Sequence, residues 1–286
     1  MGWLGKFLQI DRRWIFLAIG IAVLVPFFLP MGLPVVVTKP VQDLYDAVDA
    51  IPPNSQPLFI SVDYAPSTVP ELDPMTYAVL RHAFSKDIRV VVLTLDPAGY
   101  GLAERALEAV AAEYGKERNE DYVYLGFQPG IAAVVLGMGI SIQNVFPEDA
   151  YGTPLSEIPM MKGINNYDQV PLLVTMASSG VIEAWVIYAH QPYGARIGAG
   201  VTAVMATDYY PFLDTGQLVG LLGGMRGAAE YETLIEKPDA GVRGMDSQSV
   251  IHILIIVLIV LGNVAYFGTR KRGQEPVQDA KQDSAE

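Results

Sequence analysis

Two uninterrupted apolar runs, one near each end of the chain, constrain the fold more than any other feature. Trp14 to Val37 carries no side chain that ionises near neutral pH across 24 positions, and Val250 to Gly268 carries only His252 across 19. As helices they would be about 36 Å and about 28 Å long, against a bilayer hydrocarbon core of about 30 Å. Both are long enough to span. A cleaved signal peptide has an apolar stretch of about 7–15 residues and a small-x-small cleavage site. The first run is longer, and the segment after it (MGLPVVVTKPVQ) offers no such site, so it reads as an uncleaved anchor. Pro26, Pro30 and Pro34 each remove a backbone donor and predict a kink or an early end to the first helix.

The flanks give orientation. Lys6, Arg12 and Arg13 precede the first run, and Arg270, Lys271 and Arg272 follow the second, whereas the middle segment opens with Lys39 and then carries Asp43, Asp46 and Asp49. Lys and Arg accumulate on the cytoplasmic side. The expected organisation is a two-pass protein of the cell membrane: cytoplasmic 1–13, a span over 14–37, an extracytoplasmic domain over 38–248, a span over 249–268, and a disordered cytoplasmic tail over 269–286.

Residues 38–248 hold 26 acidic and 12 basic residues, a net charge of −14. A surface this acidic excludes nucleic acid and anionic lipid headgroups as partners. It suits a cation or a basic partner. The chain has no cysteine, which excludes disulfides, thiol catalysis and cysteine-ligated metal sites. No cofactor is predicted, and no metal is identified by spacing.

Within the middle segment, strands alternate with helices. After an amphipathic helix within 38–56, strands are expected at 57–63, 89–95, 121–127, 170–176 and 199–206. Helices are expected at 73–84 (Asp73 as N-cap), 101–114, 129–138, 156–161 and 180–188, with a last one at 215–235 interrupted by Gly223-Gly224. The strands are near-continuous apolar runs, as in strands buried on both faces. The fold class is therefore α/β, a mostly parallel, doubly wound (Rossmann-like or flavodoxin-like) sheet flanked by two transmembrane helices. The pattern resembles periplasmic binding proteins and flavodoxin-like domains in architecture alone, and architecture does not set function.

In such sheets ligands bind beyond the carboxyl ends of the strands. Each expected strand ends in polar residues: Asp63-Tyr64, Asp96-Pro97, Gln128, Ser178-Ser179 and Asp208-Tyr209. The ligand-binding candidates are therefore Asp63, Tyr64, Asp96, Gln128, Asp208 and Tyr209. The aspartates suit a hard cation or a ligand's hydroxyl or amine groups; Tyr64, Tyr209 and Tyr210 offer an apolar wall. The competing reading is that Asp, Ser, Gly and Pro simply end strands and cap helices. Ser178 or Ser179 at a strand–helix turn offers a nucleophile whose base would be His82 or His190. No phosphate-binding glycine motif and no nucleophile elbow is present. Gly223, Gly224 and Gly227 permit close helix packing. His252, about one turn inside the second run, is an intramembrane ionisable residue. The long segment 139–166 reads as a lid or a docking face.

The expected function is a non-enzymatic binding or assembly module, a subunit of a membrane complex that contacts other membrane proteins or itself. The alternatives are a membrane-tethered hydrolase, using Ser178 or Ser179 or a metal on Asp63, Asp96 and Asp208, and a structural subunit packing through residues 131–138 and 218–225.

Overall fold

The computed structural model describes residues 11–29 and 31–272; Lys6 and the tail from 273 lie outside the described residues. The described chain forms two compact units, one of Gly32–Met245 and one of the residues on either side.

The larger unit is built on a six-stranded, all-parallel sheet in the order β3-β2-β1-β4-β5-β6. The strands are β1 (Leu58–Asp63), β2 (Val90–Thr94), β3 (Tyr122–Phe127), β4 (Leu173–Ala177), β5 (Ile197–Val201) and β6 (Gly220–Gly223). β1, β2, β4 and β5 are buried along their whole length, in keeping with their near-continuous apolar runs. The expected α/β class holds, with six strands rather than five. The extra strand corrects the expected helix over 215–235. LVGLLGG is too short an apolar run for its period to decide, and tertiary contact decides it. A side-chain carbon on Gly220 would lie 2.5 Å from the Leu44 backbone nitrogen, so a helix packs directly onto this strand.

Each crossover helix runs back across the sheet, so it starts at the edge where strands end and finishes where the next begins. Numbered through the chain, and leaving aside the single turn Ile142–Val145 and the 3₁₀ turns, the helices are α1 (Arg12–Phe28), α2 (Lys39–Asp49), α3 (Val69–Ser85), α4 (Tyr100–Tyr114), α5 (Ile131–Met138), α6 (Val181–Trp185, prolonged by a π turn over Val186–His190 and by Gln191–Tyr193), α7 (Ala206–Asp214), α8 (Gly224–Leu234) and α9 (Ala240–Arg272). α3 begins four residues before the expected Asp73 cap, because Pro70 sits in its first turn, where a missing donor costs nothing. Asp73 is thus inside the helix. The fifth strand ends at Val201 instead of 206, and the expected helix over 156–161 is two 3₁₀ turns, Leu155–Glu157 and Pro159–Met161.

The segment 139–166 is a packed cover. Phe146, Leu155, Ile158, Met160 and Met161 are buried in the same core cluster as β2 and β3, and Ala150 N donates to Tyr124 O at 2.8 Å, which occupies part of the β3 edge.

In the smaller unit, α1 stops at Phe28 instead of continuing to residue 37. Gly32 has φ +60°, and Pro34 follows, so the helix cannot resume. At 17 residues, α1 is about 26 Å long. Among the described residues one helix is long and apolar enough to cross a membrane: Ala240–Gly268, with mean hydropathy 2.6 and 6% of its most apolar window buried. α9 begins ten residues ahead of the expected apolar run. The buried Glu232 carboxylate accepts from the backbone N–H of Asp239, Gly241 and Val242 at 2.8–2.9 Å, satisfying donors that a helix start leaves orphaned.

Candidate functional site

β1 and β4 are neighbours in the sheet but leave in opposite directions, β2 and β3 lying on one side and β5 and β6 on the other. This is the switch point where doubly wound sheets open a crevice. Asp63 is the last residue of β1, opposite Ala177 of β4. It is fully buried. One carboxylate oxygen accepts from Leu95 N at 2.6 Å; the other accepts from Ser61 Oγ at 2.5 Å and Thr175 Oγ1 at 3.2 Å. One side chain thereby ties β2, β1 and β4 together at their ends. Burial pushes its pKa up to about 6; the three donors pull it down, and the Asp96 charge adds a little to the rise.

A close approach holds this corner. A side-chain carbon on Gly99 would meet Val62 O at 2.2 Å and Thr94 Oγ1 at 2.7 Å, so only glycine lets the turn before α4 lie on the end of β1. Asp96 spends its carboxylate on that turn, accepting from Ala98 N at 2.9 Å. Gln128 donates to Val145 O at 3.1 Å, fastening the β3 end to the cover segment.

The two candidate tyrosines point into the fold. Tyr64 is buried and donates to Asp73 Oδ1 at 2.7 Å. Tyr209 is buried and donates to Glu183 Oε2 at 2.9 Å. Neither forms an exposed wall; Tyr210 is exposed. Asp208 is not a strand end: it lies in the first turn of α7, seven residues beyond β5, and is exposed.

Ser178 is half-buried and Ser179 exposed in the turn between β4 and α6. The histidines proposed as their base lie elsewhere. His82 is at the end of α3 and His190 at the end of the π turn, both where strands begin. His82 is buried, with Nδ1 2.8 Å from Tyr231 Oη, Nε2 3.3 Å from Asp49 Oδ1 and its ring stacked on Tyr45. Burial holds its pKa below the usual value, against the opposing pull of Asp49. His190 Nδ1 is 2.9 Å from Ala195 O.

Four residues that organise this edge were not among the candidates. Ser61 and Thr175 are hydroxyls inside apolar strands, and such a buried hydroxyl demands a partner; that is a signal legible in the sequence. Glu183 and Glu71 gave none. Glu71 reaches from the first turn of α3 to accept Ala203 N at 2.8 Å, beyond the end of β5.

Among the described residues no group of three or more His, Cys, Asp or Glu side chains is placed to hold a metal ion. Comparison with family models, with curated proteins and with solved structures finds no match to this chain.

Proposed function

We propose that this chain is a membrane-anchored binding or assembly module, a non-enzymatic subunit whose α/β unit is held outside the cytoplasm. The observation that carries the reading is the apolar helix Ala240–Gly268, which leaves nearly all of its most apolar window unburied within the molecule. Exposed apolar surface on that scale requires a hydrocarbon phase or other subunits around it. The short α1 is the second span in this reading. With 17 residues it sits at the lower limit of spanning length, its Trp14, Phe16, Leu17, Ile21 and Leu24 exposed. Both termini are cytoplasmic by the basic flanks.

The polar strand ends favour recognition over catalysis. Asp63, Tyr64 and Tyr209 act as buried supports, half-buried Asp96 and Gln128 are tied to their own turn and to the cover segment, and exposed Asp208 and Ser179 are the groups a partner meets. A serine hydrolase needs a base within hydrogen-bond reach of its nucleophile; His82 and His190 are engaged at the opposite edge.

Two measurements test this. Protease added to intact spheroplasts digests residues 38–248 and spares a C-terminal tag; the reverse pattern overturns the topology. In cells, Ser178→Ala with Ser179→Ala leaves function intact, whereas deletion of 250–268 abolishes it. A folded, abundant but inactive double alanine variant replaces this reading with the hydrolase.

A further inference from the structure

At the opposite edge of the sheet, where strands begin, a solvent-open cavity of ≈ 250 Å³ is lined by Asn54, Arg89, Glu120, Asp121, Pro159 and Met160. The backbone fixes its polar members. Arg89 O accepts from Leu58 N at 2.9 Å, and Asp121 O accepts from Val90 N at 3.0 Å, so both residues are pinned at the starts of adjacent strands. Asn54 N donates to Asp87 O at 2.8 Å, and Asn54 itself is in the left-handed region at φ 54°.

The charges here are unspent. Arg81, Arg105, Arg226 and Arg243 each meet a carboxylate within 4.0 Å, but Arg89 is in none of the ion pairs or side-chain hydrogen bonds among the described residues, although two carboxylates share its cavity. Glu120 is likewise free. Asp121 uses one oxygen to accept Glu117 N at 2.9 Å and has the other to offer. Half-buried Arg89 and Asp121 and exposed Glu120 thus line one cavity without closing into an ion pair. Buried Met160 and exposed Pro159 add apolar surface to the lining.

We propose that this cavity binds a small zwitterion of the α-amino-acid type. Its carboxylate takes the planar fork of Arg89, the geometry in which arginine binds carboxylates best, and its ammonium group takes Glu120 and Asp121. The volume lies below the roughly 300–1,000 Å³ of drug-sized sites, which restricts the occupant to a small molecule. A simple anion would face the two carboxylates and a simple cation would face Arg89, so only a ligand with both charges satisfies every wall.

Titration calorimetry of the full chain in mild detergent with glycine, the smallest bearer of both groups, tests this, with acetate and methylammonium as the single-charge controls. Glycine binds saturably, and each control binds about tenfold or more weakly than glycine. Arg89→Ala and Glu120→Gln each weaken glycine by about tenfold or more at unchanged melting temperature, and Arg89→Lys restores part of the loss. No saturable glycine binding, binding unchanged in a folded Arg89→Ala variant, or methylammonium binding as tightly as glycine overturns the proposal; the last identifies a plain cation site.

Discussion

The two edges of the sheet use their charges in opposite ways. Where strands end, Asp63 is enclosed by hydroxyls of β1 and β4 and by the backbone N–H just beyond β2, Asp96 caps the turn before α4, and Gln128 and Tyr209 each secure a neighbouring segment. Where strands begin, Arg89 and Glu120 share a cavity without pairing. Polar residues at strand ends are what a reader of the sequence looks for first, yet here most of them hold the fold together. The unspent charges lie at the edge that the strand-end rule for ligand sites does not inspect.

Asp63→Asn gives the largest effect. The folded pKa near 6 is above the usual 3.8, so the protonated form is favoured by folding. The stability this contributes is full below about pH 4 and is lost as pH rises through 6, about 3 kcal/mol in all. Asparagine keeps an acceptor for Leu95 N and presents no charge. The variant is therefore more stable than the parent at pH 7 by up to about 3 kcal/mol, and equal to it near pH 4, in denaturant titrations at both pH values. A variant less stable at pH 7 would mean that the carboxylate's hydrogen bonds outweigh its desolvation.

Thr175→Val removes one donor from the charged form and leaves the volume nearly unchanged. The loss is about 1–3 kcal/mol at pH 7 and much less at pH 4, where Asp63 is protonated. A loss independent of pH would detach Thr175 from the carboxylate. Asp96→Ala removes only a turn cap and costs about 1 kcal/mol, read as a melting-temperature shift. At the other edge, Arg89→Ala changes stability by no more than about 0.5 kcal/mol, because its side chain has no partner to lose. A large destabilisation there would erase the contrast between the edges.

The apolar content of the strands was legible because a strand buried on both faces leaves a continuous hydrophobic run, as in Val90–Thr94. β6 was not legible: GLLG is short, and its state depends on α2 lying against Gly220, a contact about 180 residues away in the chain. The first apolar run shows the same limit, since its prolines forecast an early end without fixing it at Phe28.

By itself, then, the sequence determined the alternation of strands and helices, the acidic balance of the middle segment and the long apolar helix near the C-terminus, because each follows from local composition and period. Only the tertiary structure decided which charges are spent. Asp63 and Arg89 are both single charges beside an apolar strand run. One ends β1 at the switch point, enclosed by hydroxyls from its own strand and from β4 and by a backbone N–H beyond β2. The other opens β2 facing a cavity with carboxylates beyond pairing distance. Pairing is a matter of distances between residues far apart in the chain, and those distances exist only once the strands are ordered.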